Sequence, residues 1–288
     1  MNLVVLAAGV SSRMKRSLAD AKLIDESVAD EASRKPKSMI GVGKESRPFL
    51  DYLLYNAREA GYRDVVLVVG DDDAAMRIMY GSADQRNAFH GLSISYARQP
   101  IPQGRSKPLG TADALLCALT ARPDWAGGMF TVCNSDNLYS HNALRLLLES
   151  PHPGALIDYD REALQFEEDR IQQFAVLQKD PQGFLTRIIE KPSREELLAA
   201  ADAGGRIGVS MNIFRFSYDR ILPALRTVPL HPVRLEKELP PAVMMLVERD
   251  PRAMAAIPLS EFVPDLTSVH DVGRVRDYLA TEFEDFAW

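Results

Sequence analysis

Cysteine is scarce in this chain: Cys117 and Cys133 are the two thiols among 288 residues. Two are too few for a disulfide framework in a chain this long, and their spacing matches no metal-ligand pattern. Long hydrophobic runs are missing as well. The apolar stretch at the N-terminus covers about eight residues, short of a signal-peptide core with its flanks. Nothing approaches the roughly 20 apolar residues that span a bilayer. A reducing cytoplasm is the predicted compartment, with no membrane partner. Basic charge is short too: 34 Lys and Arg stand against 40 Asp and Glu, a formal net charge of −6. No basic stripe is visible, so nucleic acid is not the expected partner. The dinucleotide fingerprint G-x-G-x-x-G and the Walker pattern are both absent, which disfavours those two cofactor classes. There is no Gly/Ser-rich linker, internal repeat or low-complexity segment. What remains is an ordinary globular composition, 46% apolar and 26% charged, long enough for a large core.

Strand-like runs alternate with helical ones. Residues 3–6, 65–69 and 130–133 are continuous apolar runs of the buried parallel type, and 93–96 is a shorter, alternating one. Residues 49–60 carry Leu50, Leu53, Leu54 and Ala57 at helical spacing and stop at Gly61, a glycine C-terminus. Residues 111–119 and 142–148 read as further helices. The second half is more mixed: strands at 154–159, 173–177, 185–190 and 209–216, helices at 194–203, 218–225 and 272–284. The pattern predicts an α/β fold, three-layer α/β/α with a Rossmann-like, mostly parallel mixed sheet. A single domain with two lobes, 1–140 and 141–288, is preferred. Ligands then sit at the carboxyl ends of the strands. Residues 15–35 read as a flap or short helix over the site. Residues 230–261 read as an excursion from the sheet with a helix at 241–249, and they offer a contact surface for a second copy.

The first strand runs into Leu6-Ala-Ala-Gly-Val-Ser-Ser-Arg-Met14. A loop of small residues at a strand's carboxyl end lets backbone N–H groups approach phosphate oxygens. Arg13 adds a fixed positive charge. Such a loop points to a nucleoside triphosphate.

The loop resembles the signature of nucleotidyltransferases, and later motifs narrow the resemblance to the sugar-1-phosphate nucleotidylyltransferase family. Lys35-Pro-Lys-Ser-Met-Ile40 is similar to the family's Pro-Lys-x-Met strand, which makes Lys37 the phosphate-contacting lysine. Lys107-Pro-Leu-Gly-Thr-Ala112 matches the turn whose backbone meets the nucleotide base at Gly110; Thr111 reads as the following helix's N-cap, and Gln99 stands where a base-contacting glutamine occurs. Phe130-Thr-Val-Cys-Asn-Ser-Asp136 brings Ser135 and Asp136 to the sheet's carboxyl edge, with Asp136 as a Mg²⁺ ligand. Asn137 stands where the family often has a second acid. His270-Asp-Val-Gly273 resembles the late Asp-x-Gly element, which makes Asp271 the second metal ligand; an N-cap reads nearly as well, and Asp265 is a less favoured substitute. Glu190-Lys-Pro192 and Asn212 match the family's sugar-binding residues, with Lys191 meeting the sugar phosphate.

The resemblance implies an enzyme of the nucleotidyltransferase class. It would join a nucleoside triphosphate, UTP or dTTP favoured, to a sugar 1-phosphate, releasing pyrophosphate with Mg²⁺ as cofactor. Nucleotide contacts would come from Leu6, Ala7, Ala8, Gly9, Ser11, Ser12, Arg13, Gln99, Gly110, Thr111 and Ser135. Catalytic groups would be Arg13, Lys37, Asp136 and Lys191. Glu190, Lys191 and Asn212 would hold the sugar. The runner-up is a non-sugar acceptor of the molybdopterin- or cytidylyl-transfer type, since Ser-Ser-Arg-Met occurs in such relatives. A nucleotide-dependent glycosyltransferase would carry Asp-x-Asp where this chain has Asn134-Ser-Asp136. A non-catalytic nucleotide-binding regulator is the fourth reading. An attached acyltransferase repeat domain is not expected.

Overall fold

The computed structural model describes residues 1–9, 12–17, 26–71, 73–81 and 88–288. Its sheet begins with β1 (Asn2–Leu6), flanked in parallel by β2 (Asp64–Val69) and β5 (Met129–Asn134). β3 (Ala88–Phe89) and β4 (Leu92–Arg98) extend the β2 side, β4 in parallel and β3 as an antiparallel edge. On the β5 side the pairing turns antiparallel. β10 (Phe214–Ser217) lies between β5 and β6 (Gly154–Asp160). β9 (Gly208–Ser210), β7 (Ala175–Lys179) and β8 (Leu185–Ile189) follow in that spatial order. β11 (Ala255–Leu259) pairs β6 in parallel.

Alternation along β1 explains the layers. Leu3 and Val5 belong to one apolar core and Val4 to the other. The first core takes α3 (Phe49–Ala60) and α6 (His141–Glu149); the second takes α5 (Thr111–Ala121), α9 (Tyr218–Thr227) and α10 (Leu239–Arg249). Helices thus cover both faces, as continuous apolar strands require. α3 stops at Gly61, which takes φ +106° without a Cβ penalty. No helix among the described residues is long and apolar enough to cross a membrane.

Four expectations need correction. The stretch 209–216 is two strands, because Asn212 takes φ 57° and turns the chain so that β9 pairs β6 and β7 while β10 pairs β5 and β6. Residues 255–259 belong to the sheet and not to an excursion. Pro36 precedes a 3-10 turn, Lys37–Met39, where a strand was expected. The N-cap of α5 is Gly110, not Thr111. Within the stretch 15–35, read as a flap or short helix, lies α2 (Glu26–Arg34), and α1 (Ser12–Ser17) overlaps its start. α4 (Ala74–Tyr80), α7 (Glu168–Ile171), α8 (Arg194–Ala199) and α11 (Asp271–Glu282) complete the chain.

Candidate active site

A cleft of about 650 Å³ opens at the carboxyl ends of β1 and β5. The β1 end supplies Leu6, Ala7, Ala8 and Gly9, with Arg13 beside them. The β5 end supplies Ser135 and Asp136. The β1 end is tied to both neighbours: Ser135 N–H after β5 donates to Leu6 O at 3.2 Å, and Ala7 N–H donates to Val68 O of β2 at 2.8 Å. Ser11 lies outside the described residues, as does the side chain of Ser12.

Lys37 reaches into the cleft from its 3-10 turn, and its ammonium donates to Asp136 Oδ2. Both side chains are mostly buried, so this charge-assisted bond is screened little by solvent. Lys37 and Asp136 are far apart in sequence and adjacent in space.

The β4 end of the cleft is built around Gln99, which is 2% exposed. Its Nε2 donates to Gly110 O at 2.9 Å and to Asp113 Oδ2 at 2.8 Å. Both partners only accept, which fixes the amide orientation. Gly110 takes φ +104°, and a Cβ there would meet Lys237 O at 2.6 Å, so glycine is required twice over. Thr111 also lines the cleft, and its Oγ1 accepts from Leu239 N–H at 2.9 Å.

The opposite wall comes from the second half of the chain. Glu190, Lys191, Ser210 and Asn212 line it. Lys191 and Asn212 both have positive φ, 48° and 57°. Left-handed backbone at non-glycine residues is costly and collects at functional sites. Lys107, Gln173, Thr267, Arg234, Glu236 and Glu238 also line the cleft and were not singled out from sequence. Arg234, Glu236 and Glu238 leave no local signature that could have revealed them.

Asp271 is not brought to Asp136. Its Oδ2 accepts from Thr267 N–H at 2.9 Å and Ser268 N–H at 2.6 Å, and its other oxygen pairs with Arg170. It is the first residue of α11 and closes the turn that precedes that helix. Asp265 stands closer. The backbones of Asn137 and Asp265 pair, and Leu266 N–H donates to Asp136 O at 2.8 Å. Burial pushes the Asp265 carboxyl above its ordinary value, and the charge of Asp136 raises it further against Arg170, which lowers it. Two mutually repelling hard-oxygen donors beside a cleft suit a divalent cation that prefers carboxylate and phosphate oxygens. Asp136 and Asp265 would offer Mg²⁺ the carboxylate oxygens it prefers, although Asp265 also accepts from Thr267 Oγ1 and Arg170.

A family model described as nucleotidyl transferase matches residues 32–284. The chain belongs to the nucleotidyl transferase family. Within it, the low-salt glycan biosynthesis nucleotidyltransferase Agl11 of Haloferax volcanii is 31% identical over 162 residues, 54% of this chain and 39% of Agl11. The bifunctional protein GlmU of Trichlorobacter lovleyi is 26% identical over 189 residues, 65% of this chain and 33% of GlmU. The matches therefore span well under half the length of these two relatives. Among solved structures, a UDP-glucose pyrophosphorylase complexed with UDP-glucose superimposes with a TM-score of 0.69 at 18% identity, covering 98% of both chains. A UTP-bound UGPase from Acinetobacter baumannii gives 0.67 at 19% identity, covering 98% of this chain and 94% of that one. The shared fold is the three-layer α/β/α sheet described above.

Proposed function

We propose that the cleft transfers a nucleotidyl group from a nucleoside triphosphate to a sugar 1-phosphate. The observation that carries this reading is the joint lining of one cleft by a small-residue phosphate loop, the Lys37–Asp136 pair, and Glu190, Lys191 and Asn212 from the far half. A simple nucleotide-binding module has no need of that second wall.

In this reading an acceptor phosphate oxygen attacks the α-phosphorus, the bond to the β-phosphate oxygen breaks, and pyrophosphate leaves. The nucleophile is already an anion, so no strong general base is required. Positioning and charge neutralisation supply the catalysis. Backbone N–H groups of the β1 loop and Arg13 hold the β- and γ-phosphates. Lys37 follows charge at the α-phosphate, and Lys191 offsets repulsion between the two anionic substrates. Glu190 accepts from sugar hydroxyls, and Asn212 orients the ring. Asp136 and Asp265 would hold Mg²⁺, which when bound supplies Lewis-acid neutralisation of phosphate charge.

Gln99 is compatible with a uracil or thymine base. With both amide hydrogens committed, its Oε1 is left as an acceptor. An acceptor suits the N3–H of uracil or thymine and opposes cytosine, whose N3 also accepts. UTP with glucose 1-phosphate is the first pair to test.

The test is pyrophosphate release over a grid of triphosphates against sugar 1-phosphates with Mg²⁺. Release that requires one UTP or dTTP well and one sugar phosphate together is expected. Asp136→Ala should then lose roughly a hundredfold in rate, about 3 kcal/mol. Triphosphate binding without release in any well would overturn the proposal in favour of a non-sugar acceptor or a regulator.

A further inference from the structure

Residues 231–240 cross the cleft as a strap that touches both of its walls. On the nucleotide side the strap is bonded through its backbone. Lys237 N–H donates to Leu109 O at 2.5 Å, Ala112 N–H donates to Lys237 O at 3.0 Å, and Leu239 N–H donates to Thr111 Oγ1 at 2.9 Å. These bonds flank Gly110 and fix the strap to the turn at the β4 end of the cleft. The strap is also closed on itself. His231 Nδ1 accepts from the N–H groups of Val233 and Arg234 at 3.1 Å each, and His231 N–H donates to Glu236 O at 2.8 Å.

On the acceptor side the contact is one side chain, Arg234. Its Nε and Nη2 each stand 2.5 Å from a Glu238 oxygen, a side-on pair four residues apart along the strap. Glu238 is largely shielded from solvent, with its side chain 13% exposed. The guanidinium is therefore held in place before it reaches across the cleft, where Nη2 donates to Glu190 Oε2 at 2.8 Å. A planar guanidinium can serve two carboxylates at once in fixed geometry; an ammonium cannot. The group of Arg234, Glu190 and Glu238 carries a net negative charge, so it does not present a site for a second acceptor anion.

We propose that Arg234 is a positioning residue that, anchored by Glu238 on the strap, fixes the Glu190 carboxylate for the acceptor. This rests on reading Glu190 as the ligand of the acceptor's hydroxyls. Without Arg234, the Glu190 side chain regains rotamer freedom that acceptor binding must remove again. The acceptor then binds more weakly while the nucleotide end, held by backbone bonds, changes little.

The experiment is steady-state pyrophosphate release with UTP and glucose 1-phosphate for the wild-type chain, R234Q, R234K, E190Q and the double variant E190Q/R234Q. R234Q should raise the KM for glucose 1-phosphate about tenfold while the KM for UTP moves less than about twofold. R234K should recover part of the loss, since its ammonium pairs with one carboxylate. The double variant should be no worse than E190Q alone, because Arg234 acts through Glu190. Additive losses in the double variant, or an equal rise in both KM values, would overturn the proposal. If the wild-type chain releases no pyrophosphate, the function proposed above is what fails. Amide exchange at residues 188–191 then decides the role of Arg234: faster exchange in R234Q supports it, and unchanged exchange overturns it.

Discussion

The carboxylates of Asp265 and Asp271 share one arginine, and their other neighbours separate their roles. Arg170 donates to both. Asp271 spends its remaining oxygen on the backbone N–H groups of Thr267 and Ser268 in the turn before α11, whereas Asp265 is buried beside the charge of Asp136. Asp271→Asn should therefore cost about 1 kcal/mol of stability, read as a lower Tm, and leave the Mg²⁺ requirement unchanged. Asp265→Asn should raise the Mg²⁺ needed for half-maximal release by about tenfold or more. A Mg²⁺ titration beside a melting curve checks both. Asp51 makes a different residue-scale prediction. It is 3% exposed in α3, accepts from Tyr80 Oη at 2.7 Å and pairs with Arg47 at 3.2 Å. Burial nevertheless outweighs these partners and raises its pKa above the ordinary 3.8. A raised folded-state value means the protonated form is favoured by folding. Its stabilising contribution is complete below the unfolded value and is lost as pH rises through the folded one. Tm measured from pH 4 to 7 should accordingly fall more for the wild-type chain than for Asp51→Asn, which keeps an acceptor for Tyr80.

At the scale of elements, the β4 end of the cleft depends on a turn and a strap fitting at one point. Gly110 holds a conformation that side chains rarely adopt, and the backbone of Lys237 occupies the space a Cβ would need. Gly110→Ala should therefore push the strap away from α5 at a cost of about 1–3 kcal/mol. The expected readings are a lower Tm and a raised KM for UTP. The same substitution at Gly9, where nothing lies within 4 Å of an added Cβ, should move the Tm much less. The break between β9 and β10 is the matching feature of the other wall. Asn212 sits in the middle of a stretch, 209–216, that reads as a single strand. The break turns the chain between two sheet neighbours and puts Asn212 in the cleft lining.

Taken as a whole molecule, the sheet passes from parallel to antiparallel pairing beside β5, and the cleft lies where the two regimes meet. A triphosphate that binds only the folded cleft should stabilise the whole chain by mass action. At a hundred times its Kd, UTP adds about 2.7 kcal/mol, and Tm should rise by about 5 °C. A melt without any shift at millimolar UTP would remove the nucleotide from the cleft.

Much of this was legible from the chain alone, for a physical reason. Period-2 and period-3.6 apolar patterns, the glycine stop at Gly61 and the small-residue loop after β1 are local properties, set by backbone geometry over a few residues. They determined the α/β class, the parallel nucleotide half and the placing of Asp136 at a strand end. Tertiary structure alone decided that Asp265 packs beside Asp136, where the run at 209–216 breaks, that residues 255–259 enter the sheet, and that Arg234 reaches Glu190. Each of these depends on a partner distant in sequence, and local pattern carries no information about which distant carboxylate, strand or guanidinium the folded chain brings within hydrogen-bonding distance.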